Sequence, residues 1–273
     1  MAELKFGPAG VPLCAKKRDT LTGIEECAKL GLEALEVEFV RGVRMSVETA
    51  LECGKIASEL GIALSAHAPY FINLASEDKI KRKKSMSFVL ETAKIANALK
   101  AKHVVFHPGF YGKKSKEECY QLVKECIEEI VDTINKSKWD VLLAPETMGR
   151  QSQFGTLDET LKICEELDGV VPTIDFAHIH ARTNGSLKTS KDFDRILDTI
   201  EKRLKLKELH THFTGVEYKA GNEKKHLVLE KGDLKFEYLA TALKSRKLEV
   251  TIISESPILE KDALEMKRIW EKL

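Results

Sequence analysis

Imidazole and carboxylate side chains fall at the ends of apolar runs all along this chain. TIDFAHIHA starts like a core strand and then presents Asp175, His178 and His180. SAHAPY presents His67 and Tyr70, VVFHPG presents His107, and LLAPET presents Glu146. HTHFTG carries His212, and IISES carries Glu255. A buried, unpartnered carboxylate costs on the order of several kcal/mol, so a strand that only filled a core would not carry one. Imidazoles mixed with carboxylates and no thiolate suit Zn²⁺, Mn²⁺ or Fe²⁺ better than Mg²⁺, which prefers oxygen ligands and water. Four histidines (His67, His107, His178 and His212) and three or four carboxylates are more than one ion needs. Two or three ions sharing a carboxylate fit that count, and clustered ions suit hydrolysis of phosphate esters.

These residues need elements that bring them together. Short apolar runs are expected as strands at 4–7, 34–39, 63–67, 103–107, 141–146, 171–176, 208–212 and 249–255. Longer amphipathic runs lie between them. Phe193, Ile196, Leu197, Ile200 and Leu204 keep helical spacing, as do Tyr120, Val123, Ile127, Ile130, Val131 and Ile134. Ser46-Val-Glu and Ser190-Lys-Asp mark helix starts, and Gly31 and Gly61 mark helix ends. Runs such as VLLAP and VTIIS are nearly continuous in apolar residues, as strands covered on both faces are. Eight such units in 273 residues match a single-domain α/β protein, a (β/α)8 TIM barrel spanning 1–273. An open doubly wound sheet is the alternative, and no glycine-rich phosphate turn follows any strand to favour it. In a barrel, the strand C-termini converge on one face, where such folds place their sites.

Composition narrows the class further. Lys and Arg total 44 against 43 acidic residues, so no overall field draws the chain to a polyanion. Any such binding must come from a local patch or from bound cations. No apolar run approaches the roughly 20 residues that span a bilayer, and the N-terminus lacks a signal-peptide pattern. The six cysteines form no C-x-x-C pair, which fits a reducing cytoplasm without disulfides. No segment points to an obligate protein partner. Among the remaining polar groups, Glu36 and Glu38 are expected at the rim as salt-bridge partners. His103 starts its strand and belongs to the opposite rim, while His180 and His210 stay open between site and structure.

With AHAPYFINLAS, VFHPG, APETMGRQSQFGTLDE and PTIDFAHIHA in this order, the sequence resembles the endonuclease IV family of apurinic/apyrimidinic endonucleases. The resemblance runs from FGPAG near the start to ISESP near the end. Members of that family are trinuclear zinc barrels that cut DNA on the 5′ side of a missing base. The resemblance therefore implies a nuclease of base excision repair that leaves a 3′-hydroxyl. Its partner would be double-stranded DNA containing abasic sites, and its cofactor two to three Zn²⁺ ions, with Mn²⁺ as a substitute. Carried over by position, His67 and His107 hold one ion and Glu146 bridges to a second, which Asp175, His212 and Glu255 complete. His178 and His226 hold the third, with an acidic residue two positions before the last histidine. That position is Lys224 here, and Glu223 is the nearest carboxylate. Glu146 and Glu255 would be catalytic, Glu255 by orienting the nucleophile or accepting its proton. Tyr70 and Asn73 match a DNA-facing loop, Arg41 or Arg44 in VRGVRMS a strand-penetrating side chain, and Lys224 is free to meet a phosphate.

Two other readings compete. Xylose isomerase-like sugar isomerases and epimerases hold one divalent ion with a Glu, Asp, His, Glu set, which Glu146, Asp175, His212 and Glu255 satisfy. Such an enzyme has no need of His67, His107, His178 and His226. A DNA-binding barrel that has lost one ion is favoured by Lys224 alone.

Overall fold

The computed structural model describes residues 2–273. Eight parallel strands close into a barrel. They are β1 (Glu3–Pro8), β2 (Ala34–Glu38), β3 (Ala63–His67), β4 (His103–Phe106), β5 (Leu142–Pro145), β6 (Thr173–Asp175), β7 (Glu208–Phe213) and β8 (Glu249–Ser254). Continuous ladders join β2 to β5 in sequence order, and join β6 to β7, β8 and β1. Isolated bridges close the two seams, Ala9 with Glu36 at one and Leu143 with Val170 and Glu146 with Thr173 at the other. The expected eight units and single domain are therefore all present, with strand ends moved by one or two residues. The sixth strand is the shortest. Asp175 ends it and caps the next helix, its carboxylate accepting from the His178 amide at 2.7 Å, so Phe176 begins a helix instead of prolonging the strand.

Helices α1 (Thr20–Lys29), α2 (Val47–Leu60), α3 (Lys79–Leu99), α4 (Lys116–Ser137) and α5 (Leu157–Glu166) cover the first half of the barrel. The short α6 (Phe176–Arg182) is followed by α7 (Ser190–Leu204), α8 (Phe236–Leu243) and α9 (Glu260–Glu271). Ser46 caps α2 through the Thr49 amide, and Gly61 ends it in the left-handed conformation that spares a side chain there. Thr189, not Ser190, is the N-cap of α7, its amide and hydroxyl both donating to the Asp192 carboxylate at 2.9 Å and 2.8 Å. The α7 stripe of Phe193, Ile196, Leu197 and Ile200 is buried against the barrel, and in α4 all of the expected stripe except Val131 is buried. No helix among the described residues is long and apolar enough to cross a membrane. All six cysteines are free.

A short two-stranded ribbon and a hairpin decorate the C-terminal face. One pairs Gly109–Phe110 with Gln153–Phe154, tying the loops after β4 and β5. The other pairs Gly215–Lys219 with Asn222–Leu227 and folds back over the β5–α5 loop, where the Glu223 amide donates to Gly149 at 3.0 Å.

Candidate metal centre

Strand pleating decides what faces the barrel axis. Residues two apart share a face, so Glu36 with Glu38, Ser65 with His67, and His210 with His212 stack in layers along the inside. The β2–β3 register sets Glu38 beside His67, and the β6–β7 register sets Asp175 beside His212. His107, Glu146 and Glu255 follow directly on β4, β5 and β8. His178 comes from the first turn of α6, and Glu223 and His226 come from the long hairpin.

Three groups of ligand atoms lie side by side in this mouth, each group within 4.8 Å: His67, His107 and Glu146; Glu146, Asp175, His212 and Glu255; and His178, Glu223 and His226. Glu146 belongs to the first two. Its Oε2 is 3.3 Å from His67 Nε2 and 3.0 Å from His107 Nε2. Its Oε1 is 3.0 Å from His178 Nδ1 and 3.3 Å from His212 Nδ1. Glu223 spans the third group, 3.4 Å from both His178 Nε2 and His226 Nε2.

Backbone carbonyls fix the rings. His67 Nδ1 donates to Ala68 at 2.7 Å and His178 Nδ1 to Thr147 at 2.8 Å, which leaves each Nε2 turned into its group. Oriented imidazoles of this kind are the usual accompaniment of metal ligation. The buried atoms without hydrogen-bond partners include Glu146 Oε1, Asp175 Oδ2, His212 Nδ1 and Glu255 Oε2. All four belong to the second group. Orphaned acceptors converging in a dry site are what a cation would satisfy, so the residues present fit bound metal ions.

The electrostatics agree. Burial would raise the Glu146 carboxyl, but the imidazoles of His107, His178 and His212 hold it well below its ordinary value. Burial pushes Asp175 up to about 7 despite His178 beside it. Burial would lower His67, yet Glu38 and Glu146 bring it to about 10, and His226 reaches about 9 beside Glu223 and Glu255. Glu146, His67 and His226 thus hold their charged forms against desolvation while Asp175 does not, and metal ions would take the place of the imidazole protons.

The third group resolves the irregularity in NEKKH. In a regular strand Lys224 and His226 would share a face. The hairpin has a bulge: Tyr218 pairs with Glu223 and Glu217 with Lys225, so Lys224 is the extra residue. The bulge turns Glu223 to the face of His226, and Lys224 is exposed. Gly149 makes room for them. A Cβ there would lie 2.8 Å from His178 Cδ2 and 2.9 Å from Glu223 Cβ.

Other expectations change. Glu36 is not a rim residue, whereas Glu38 ends β2 half-buried at the mouth beside His67, without an ion-pair partner among the described residues. Glu36 is fully buried inside the barrel, its Oε2 accepting from His210 Nε2 at 2.8 Å and Ser65 Oγ at 2.7 Å, while its Oε1 lies 2.8 Å from His212 Nε2. Burial holds Glu38 up at about 8. Both belong to the alternation that also gave His210 and His212, a signal that period-two reading of β2 would have caught. His210 is thus a partner of Glu36, and His103 stacks on it from below, ring centroids 4.9 Å apart. His180 is outside the centre, its Nδ1 accepting from the Leu187 amide at 3.1 Å and its Nε2 lying 3.2 Å from Asp233. Asn73 shapes its own loop, accepting from the amides of Ala75 and Phe110 at 3.2 Å. Tyr70, Arg41 and Arg44 are exposed, on the loops after β3 and β2.

A family model described as the xylose isomerase-like TIM barrel matches residues 24–273. The chain belongs to the xylose isomerase-like TIM barrel family. A relative, an uncharacterised protein of Methanocaldococcus jannaschii, is 39% identical over 99% of this chain and 98% of its own. A probable endonuclease 4 of Mycoplasmoides gallisepticum is 28% identical over 74% of this chain and 67% of its own. Among solved structures, endonuclease IV from Thermus thermophilus superposes with a TM-score of 0.74 at 20% identity, covering 97% of this chain and 98% of that one. A D-tagatose 3-epimerase-like protein superposes with a TM-score of 0.73 at 21% identity, covering 97% and 96%. At these identities the superpositions speak for the barrel fold of the family and leave the reaction to the site.

Proposed function

We propose that this protein is a metal-dependent endonuclease that cuts DNA on the 5′ side of abasic sites and leaves a 3′-hydroxyl. One observation carries the reading: three adjoining ligand groups in one barrel mouth, two of them sharing Glu146. His67, His107 and Glu146 would hold one ion, Asp175, His212 and Glu255 with Glu146 a second, and His178, Glu223 and His226 a third. Zinc suits sets this rich in imidazole. Bound together, such ions supply the positive charge that stabilises attacking and leaving oxygens in phosphodiester hydrolysis.

The chain's own groups do the rest. Burial works against ionisation of Glu255, but His212 and His226 keep its carboxyl below its ordinary value, so it stands ionised, where it would orient the nucleophile or accept its proton. Exposed Tyr70, Arg41, Arg44 and Lys224 offer contacts to the DNA around the mouth, the arginines and lysine to its phosphates. A missing base lowers the cost of turning the lesion out of the helix toward them. The endonuclease name of the M. gallisepticum relative supports this reading. Free cysteines suit a cytoplasmic protein.

The second reading, a one-ion sugar epimerase, has support in the Glu146, Asp175, His212, Glu255 group and in the epimerase-like neighbour. It gives no role to His107, His178, Glu223 and His226. The deciding experiment counts metals on purified protein and assays a duplex with one abasic site beside a panel of ketoses. Two to three zinc ions per chain and chelator-sensitive incision are expected. A single Mg²⁺ or Mn²⁺ with ketose epimerisation and no incision would make the second reading correct.

A further inference from the structure

Helix α3 opens KIKRKK, placing Lys79, Lys81, Arg82, Lys83 and Lys84 in its first two turns. Cations are disfavoured there, because the unpaired amides of a helix N-terminus already carry positive partial charge. Asp78, the N-cap, is the acidic group that faces those amides. Arg82 donates to the Ser76 carbonyl at 2.7 Å and Lys84 Nζ lies 5.8 Å from the Phe88 ring centroid, but no ion pair among the described residues holds Lys79, Lys81 or Lys83. Beside it three aromatic rings face solvent, Tyr70 at 59%, Phe71 at 44% and Phe110 at 39% exposure. Phe71 meets Phe88 edge-on with centroids 5.0 Å apart, and Tyr70 meets Phe71 at 5.5 Å. The rings form one wall.

Lys81, Lys84, Ser85 and Phe88 follow at helical spacing, so one face of α3 presents both the charge and the apolar surface. With Phe71 and Phe110 they line a groove of about 460 Å³. An adjoining hollow of about 360 Å³ shares Lys81 and Phe110 and adds Lys113 and Lys114. Its two acidic residues are both engaged, Glu77 lying 3.8 Å from Lys114 and Asp78 capping the α3 amides. The groove runs between the loops after β3 and β4, the strands that deliver His67 and His107. A strand leaving the metal centre on that side would enter it.

We propose that this groove binds an unstacked nucleotide of the DNA strand, its base against Phe71, Phe88 and Phe110 and its phosphates against Lys81 and Lys84. Every base has a face that stacks on an aromatic ring, and lysines follow the backbone, so this pairing of surfaces fits single-stranded nucleic acid. An acidic peptide would use the lysines and leave the rings in water. The proposal rests on the nuclease reading, and it adds a contact site for the strand beyond the lesion.

The test uses the full, metal-loaded chain and a short thymidine oligomer without an abasic site, followed by fluorescence anisotropy across a salt series. Phe71→Ala is expected to weaken binding about tenfold with the salt slope unchanged, as loss of one stacked base does. Lys81→Ala with Lys84→Ala is expected to weaken it about tenfold and to flatten the log–log slope by about 1.4, for two lost phosphate contacts. Phe71→Trp should retain binding and show quenching of its indole as the oligomer binds. Unchanged thermal midpoints would establish that the variants are folded. Binding within twofold of wild type for both the Phe71→Ala and lysine variants, or equal competition by an acidic peptide, overturns the proposal. Incision of an abasic duplex is measured separately. Groove-dependent oligomer binding without incision keeps the groove and removes the nuclease reading, and incision with groove variants that bind normally does the reverse.

Discussion

Glu36 and Glu146 are both fully buried carboxylates surrounded by imidazoles, yet they are placed for different work. Glu146 Oε1 has no hydrogen-bond partner and faces the mouth. Glu36 sits one layer deeper, against His210, Ser65 and the far nitrogen of His212. Glu146→Gln keeps the shape and removes a charge between two ligand groups. Metal titration should show loss of at least one ion, and incision should fall below detection. Wild-type metal content in that variant would remove β5 from the centre. Glu36→Gln should act more gently. Weakening the carboxylate that orients a ligating histidine typically lowers metal affinity by about 10–100-fold. Calorimetric titration of zinc into the metal-free variant reads this without reference to activity. An unchanged affinity would mean that Glu36 serves only to satisfy His210.

The long hairpin is the element that completes the third group, and its bulge is the feature that matters. Glu223→Ala is expected to lower metal stoichiometry by about one ion, because the bulge aims Glu223 at His178 and His226. Lys224→Ala should leave all metals in place and weaken DNA binding with a shallower salt dependence. The reverse pattern would show that the strand pairs without the bulge in solution. The β5–α5 loop is the hairpin's support. Arg182 donates to the carbonyls of Arg150 and Gln153 at 2.6 Å and 2.9 Å, which holds that loop in place beneath Glu223. Gly149→Ala would push a methyl group into His178 and Glu223. We expect loss of the third ion and a stability cost of about 1–3 kcal/mol from overpacking, read by metal count and thermal unfolding. Full metal loading of Gly149→Ala would show that the hairpin can shift without losing its ligands.

Across the whole barrel, acid stability should report the end opposite the candidate metal centre. Burial, helped by His210 and Lys102, holds His103 well below its ordinary value. The unfolded chain takes up this proton below about pH 6.5 while the folded chain does not. Stability from this group is therefore complete above that pH and falls as the solution is acidified, by up to about 1.4 kcal/mol per pH unit. His103→Phe should flatten the decline of the melting temperature between about pH 6.5 and pH 5, and an unchanged decline would place its cause elsewhere. The barrel itself was legible in the sequence, because buried parallel strands must be apolar throughout and covering helices must be amphipathic, and both periods are local. The residues at strand ends were legible for the same reason, since a polar group closing an apolar run has one place to go. Which carboxylates share which histidines was decided by tertiary structure. Glu36 was expected at the rim because sequence alone does not give the depth of a layer inside a closed barrel. That depth depends on the register between β2, β3 and β7, which lie far apart in the chain. Glu223 lies one residue from the expected position because only the pairing of two strands creates a bulge. Sequence determined the kinds of candidate ligand and the strands that carry them, and the closing of the barrel determined their grouping, since distance between residues on different strands is set by register and not by separation along the chain.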